Sequence, residues 1–255
     1  MRLAVVCVLI GCGRIGFDPS ELGTSGGGLG CPRAASIPDP IVISGLTFTY
    51  KDFQNTYNLE SNIPLAALDP TGRTLAATTS DVSGNYMLSV PSGGEPVDLV
   101  LTYSQGDPEF LTTTIYSDQP LDHDAPGTPS MTPFQIGDGS MWSDGSMDAV
   151  YGGLVPRTSG TISVLVHTCD EELVDGVVVA VDPPPQKLLY SDANGYPAQL
   201  DATTPPYGAA IALDAVAGTT RITATKPGFV TSSAEIAVGG METSTLLLFH
   251  MQPEL

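Results

Sequence analysis

Positive charge is scarce in this chain: nine Lys and Arg stand against 28 Asp and Glu, a formal net charge of −19. No basic stripe exists that would follow a phosphate backbone, which excludes nucleic-acid binding. Aromatic residues make up only 7% of the chain, with one Trp, so any core is built mainly from aliphatic side chains. No apolar stripe at helical spacing is present, and no apolar run approaches the roughly 20 residues that span a bilayer. Histidine is limited to His123, His167 and His250. None has a Glu three residues on, so a zinc hydrolase with two ligands on one element is not encoded, and no cofactor is expected. His167 and His250 are expected at half-exposed strand ends. Gly23-Thr24-Ser25-Gly26-Gly27 fits the G-x-S-x-G pattern by letter only, since it lies in a Gly tract and not on a strand-to-helix elbow. No catalytic residue is assigned, and the chain is read as a non-enzyme.

What the chain does have is 42% apolar residues together with 28 Gly and 22 Pro, a composition of short strands joined by many turns. Leu46, Phe48 and Tyr50 alternate with Thr47 and Thr49, the pattern of a half-buried strand. Asn62 to Leu68 and Thr74 to Thr79 predict two more strands about the turn Asp69-Pro70-Thr71-Gly72. Ser80-Asp81-Val82-Ser83-Gly84 predicts a tight turn, with Gly84 at positive φ, into a strand whose Tyr86, Leu88 and Val90 point inward. Val97, Leu99, Leu101 and Tyr103 alternate again, and Phe110 to Tyr116 ends the first series.

After Arg157 the series returns. Ile162, Val164 and Val166 alternate, and Val177 to Val181 is an apolar strand stopped by Pro183-Pro184-Pro185. Ser191-Asp192-Ala193-Asn194-Gly195-Tyr196 echoes the earlier turn, and a last strand ends near His250. Matching features lie roughly 110 to 125 residues apart, always in the same order, which indicates two copies of one β unit. The organisation expected is a signal segment over 1–12, a flexible Gly-rich tether over 13–37, β-sandwiches over 38–117 and 158–255, and an irregular connection over 118–157.

Thr79 to Tyr86, Pro91 to Gly94 and Val97 to Tyr103 together resemble the carboxypeptidase regulatory-like domain, a transthyretin-like β-sandwich. The resemblance covers about residues 40–117 and, more loosely, 158–251. It implies an all-β fold of two tandem transthyretin-like or Ig-like sandwiches, serving as structural or ligand-contacting modules without catalytic residues. Met1-Arg2, the apolar run Leu3 to Ile10 and Leu9-Ile10-Gly11-Cys12 resemble the signal and lipobox of bacterial lipoproteins. Cys12 to Pro19 is similar to the start of myxobacterial lipoproteins. This implies export, a lipid on Cys12 and attachment to the membrane. Gly13 in place of Asp after the Cys fits proteobacterial sorting to the outer membrane.

Several residues stand out as candidates for further chemistry. Cys31 and Cys169 either pair in an oxidising compartment or remain an exposed and a buried thiol. Asp138, Asp144 and Asp148 lie among Gly-rich turns as raw material for a Ca²⁺ loop, but without the spacing of a known one. His123 lies between Asp122 and Asp124. Trp142 and Tyr151, with Met131, Met141 and Met147, form either a partner-contacting patch or a hydrophobic clasp between the units. The function expected is a surface-binding or spacer module whose partner is an envelope protein or glycan. The alternative is a carbohydrate-binding module using Trp142, Tyr151, Tyr196 or Tyr207.

Overall fold

The computed structural model describes residues 31–50, 57–103, 111–127, 139–141, 160–170, 172–193, 197–205, 208–240 and 243–254. Every regular element among them is a strand, so the fold is all-β. The first series comprises β1 (Ile41–Tyr50), β2 (Tyr57–Leu59), β3 (Pro64–Leu68), β4 (Thr74–Thr79), β5 (Asn85–Val90), β6 (Val100–Tyr103) and β7 (Thr112–Ser117). Two short strands follow, β8 (Ala125–Pro126) and β9 (Gly139–Met141), inside the stretch whose periodicity lapses. The second series comprises β10 (Gly160–Thr168), β11 (Val178–Asp182), β12 (Lys187–Ser191), β13 (Pro197–Ala198), β14 (Ala209–Ala215), β15 (Gly218–Thr225), β16 (Ser232–Val238) and β17 (Thr243–Met251).

The local signals fold as written. Asp81 Oδ1 accepts the backbone N–H groups of Ser83 (2.7 Å) and Asn85 (2.9 Å), forming the turn that launches β5. Gly84 holds φ at +79°, and a Cβ there would lie 3.0 Å from the Thr47 carbonyl oxygen. Along β5, Tyr86, Leu88 and Val90 are buried while their neighbours are exposed, the period-2 pattern of a strand with one face in a core. Thr47 and Thr49 depart from the half-exposed expectation: both are buried, and their hydroxyls donate to the carbonyl and the carboxylate of Glu60, just past the end of β2. Val177 to Val181 also differs, since Val178 and Ala180 on β11 face solvent at a sheet edge.

Strand pairing runs in a similar order in the two series. β1 takes β5 as an antiparallel neighbour and β8 and β9 as parallel ones, and β10 likewise takes β14 antiparallel and β17 parallel. The antiparallel run β3–β6–β7 corresponds to β11–β15–β16. Corresponding strands start about 120 residues apart. One strand has switched sheets: β4 pairs with β3, whereas its counterpart β12 pairs with β14.

The two copies are joined by backbone. β7 lies parallel to β17 from Thr112–Thr243 to Ser117–Leu248. This ladder completes a nine-stranded sheet ordered β13-β12-β14-β10-β17-β7-β6-β3-β4. It is the middle of three layers. One face packs on the five-stranded sheet of β1, β2, β5, β8 and β9, and the other on the three-stranded sheet β11-β15-β16. The two cores divide β17 between them: Leu247, Phe249 and Met251 enter the second, Leu246 and Leu248 the first. A strand covered on both faces needs a continuous apolar run, which Leu246 to Phe249 supplies. The exchange runs both ways, since Val100 and Tyr116 of the first copy lie in the second core. Tyr116 donates its hydroxyl to the Ala237 carbonyl on β16 at 3.1 Å.

Candidate functional site: the junction cleft

The parallel order of β7, β17 and β10 brings their C-terminal ends to one pole of the molecule, and the chain folds over that pole twice. Beyond Ser117, Asp118 donates its N–H to the Leu248 carbonyl (3.1 Å). Its carboxylate accepts the His250 N–H at 3.0 Å and contacts His250 Nδ1 at 2.7 Å. A carboxylate can only accept here, so Nδ1 carries the proton. His250 stands in register with His167 on β10, and the two rings meet edge to face at 6.0 Å. His167 is fully buried, and the His250 side chain is 10% exposed. The expectation that both are half-exposed fails for His167, which is buried, whereas His250 is of intermediate burial.

The same segment next exchanges backbone hydrogen bonds between Leu121 and Val97 and then grips the arm that precedes β1. Asp122 Oδ2 accepts the Ala34 N–H at 2.6 Å, its Oδ1 contacts His123 Nδ1 at 2.6 Å, and Asp124 Oδ1 accepts the Val42 N–H at 2.8 Å. Burial acts to raise the Asp122 carboxyl, but the hydrogen bonds from His123 and Ala34 outweigh it and hold it below the usual carboxylate range. Asp98 goes the other way: burial raises it, against the pull of the Arg33 charge. Further along the arm, Ser92 donates its hydroxyl to the Pro38 carbonyl (2.6 Å) and its N–H to Asp39 Oδ1 (3.0 Å). The arm begins at a covalent bond, Cys31 to Cys169, with Cα atoms 5.3 Å apart and a sequence separation of 138.

Arm, segment and β17 enclose a cleft of about 610 Å³. Pro32, Pro96, Pro120, Leu121, Pro126 and Leu248 make its apolar walls, with Arg33, His123 and His250 as polar groups. Among the described residues the lining contains no Phe, Tyr or Trp. Both carboxylate–imidazole pairs are engaged in holding chain segments together. Each fixes a ring as in a catalytic dyad, but Asp118 and Asp122 also bind backbone N–H groups of distant segments, which is an architectural use.

Of the residues singled out from sequence, Cys31, Cys169, His123 and His250 meet at this cleft. Cys12, Trp142, Tyr151, Tyr196, Tyr207, Asp138, Asp144 and Asp148 lie outside the described residues. Asp118 carried no sequence signal, because its partners on β17, Leu248 and His250, are 130 and 132 residues away. Among the described residues no three His, Cys, Asp or Glu side chains converge as a metal-ligand set, and no helix is long and apolar enough to cross a membrane.

No protein-family model matches the chain, and none of the curated proteins does. Among solved structures it is similar to the Bacillus anthracis TIE protein, at 8% identity over 83% of this chain and 34% of that one, with a TM-score of 0.27. The BSP domain of a biofilm-associated protein matches at 16% identity over 77% of this chain and 30% of that one, with a TM-score of 0.18. The major pilin protein T-13 of Streptococcus pyogenes matches at 6% identity over 87% of this chain and 100% of that one, with a TM-score of 0.23. This chain spans about a third of the length of the first two. Likenesses of this size carry no functional argument.

Proposed function

We propose that the chain is an exported, lipid-anchored, non-enzymatic scaffold of the cell envelope, formed from two carboxypeptidase regulatory-like sandwiches that share their middle sheet. In this reading Cys12 carries the lipid, the Gly-rich segment links it to the fold, and the body acts as a spacer or as a platform for an envelope protein or glycan. One observation carries the reading: the disulfide Cys31–Cys169 lies where the Gly-rich segment joins the fold. Such bonds persist outside the reducing cytoplasm, which agrees with the export signal read from Met1 to Cys12. The cleft carboxylates Asp122 and Asp124 accept backbone N–H groups of Ala34 and Val42 as segment clamps, which supports a structural role over catalysis. A net charge of −19 argues against a nucleic-acid partner.

The test is metabolic labelling with an alkyne-bearing palmitate in a Gram-negative host, comparing the full chain with Cys12→Ser, followed by detergent phase partition and membrane fractionation. The reading expects a labelled, detergent-phase protein that loses both properties in the variant. A labelled variant, or an unlabelled full chain recovered in the cytoplasm with free thiols, would overturn it.

A further inference from the structure

A pull on the N-terminal segment can enter the fold by two routes. Along the chain it passes from Cys31 through the arm to β1, a strand of an outer sheet. The arm's hold on the body includes the bonds from Ala34 to Asp122 and from Ser92 to Pro38 and Asp39. The other route is covalent, from Cys31 to Cys169, the residue that follows β10. β10 is an interior strand of the nine-stranded sheet, antiparallel to β14 and parallel to β17 from Thr161–Ser244 to Thr168–Met251. A covalent bond does not yield where a hydrogen bond does, so the sulfur route takes the tension first. A pull on the C-terminal end of β10, directed out of its pole, acts along the strand and must break its ladder bonds together. A pull along the arm breaks hydrogen bonds one after another.

We propose that the Cys31–Cys169 bond is a mechanical staple: it delivers tension from the N-terminal segment to the central sheet and keeps the arm and β1 out of the tension path. This rests on the anchored reading above. It also gives the cleft pole a direction, toward the attachment, and turns the opposite pole, with the β14–β15 turn at Val216 and the β4–β5 turn at Val82, away from it. Both residues are exposed, at 50% and 87%.

The test is single-molecule pulling on the chain from Gly13 to Leu255. One handle is attached ahead of Gly13 and the other inserted between Val216 and Ala217, without and with dithiothreitol. With the bond intact, the path between handles runs from Cys169 to Val216, about 47 residues or about 165 Å of released length. After reduction it runs from Cys31, about 185 residues or about 650 Å, a fourfold change. The proposal expects the intact protein to rupture at a higher force than the first event of the reduced one. Equal or lower force in the intact protein would overturn it, as would release of about 650 Å without reductant.

A second comparison stays within the oxidised protein, so it holds even where the reduced one fails to refold. Ser92→Ala, which loosens the arm, is expected to leave the rupture force unchanged, and Val164→Ala, which weakens β10, to lower it. The reverse pattern overturns the staple. Failure in either comparison leaves the lipid-labelling result untouched, so the two readings fail separately.

Discussion

Replacing Leu248 with Ala perturbs a residue that belongs to one copy by sequence and to the other by packing. Leu248 lies on β17 in the second copy, is 4% exposed, and clusters with Leu101 and Ile115 in the first core. Leu-to-Ala changes at such sites cost about 2–5 kcal/mol, more where the surroundings cannot collapse into the gap. β17 is hydrogen-bonded to β10 and β7 and covered on both faces, so it has little freedom to move; about 3 kcal/mol is a reasonable central value. That corresponds to about a hundredfold more opening, at roughly 1.4 kcal/mol per tenfold. Native-state amide hydrogen exchange reads this residue by residue. With one shared sheet the molecule opens as a unit, so Ile115 in the first copy and Val164 in the second should each lose about two orders of magnitude in protection. A loss confined to the first copy, with Val164 exchanging as before, would refute the reasoning.

Other perturbations test separate parts of the account. Cys31→Ser with Cys169→Ser frees a loop of 138 residues, for which chain entropy gives up to about 5 kcal/mol; the urea midpoint should fall clearly, and an unchanged midpoint contradicts the bond. Gly84→Ala forces a side chain into φ +79° against the Thr47 and Glu60 carbonyl oxygens and should cost about 1–3 kcal/mol in thermal or urea unfolding; an unaffected melt would count against the turn. Burial pushes the Tyr116 hydroxyl up to about 12, against about 10 in an unfolded chain. Its neutral form is thus favoured by folding: that stability is fully present below about pH 10 and is lost as pH rises through about 12. Tyr116→Phe should cost about 1 kcal/mol at neutral pH, for the bond to Ala237, and should flatten the pH 10 to 12 fall in urea midpoint; the same fall in both proteins would contradict the assignment.

Much of the local architecture was legible because its signals are local. Thr74 to Thr79, the Asp81–Gly84 turn and the Tyr86–Leu88–Val90 face each announce themselves within a few residues. Periodicity identifies a strand but not its neighbour. The sequence indicates a last strand ending near His250, but nothing in it names β7 as its partner, and that ladder joins the two series into one body. His167 was misjudged for the same reason. A strand-end position predicts exposure only when the sheet has an exposed face there, and His167 has none. Cys31 and Cys169 could be proposed as a pair by counting, whereas their proximity depends on where β10 ends, which only the tertiary structure sets. Asp118 was invisible because a lone Asp after a strand is usually a turn residue.

The central claim is that β7 and β17 pair in parallel and fuse the two copies. Long-range NMR contacts on a uniformly labelled chain test it most directly. The account predicts cross-strand contacts between the backbone protons of Thr114 or Ile115 and those of Thr245 or Leu246, alongside the β10–β17 contacts at Val164 and Leu247. Finding the β10–β17 contacts without any between β7 and β17 would contradict it, leaving two sandwiches joined only by the chain and the Cys31–Cys169 bond.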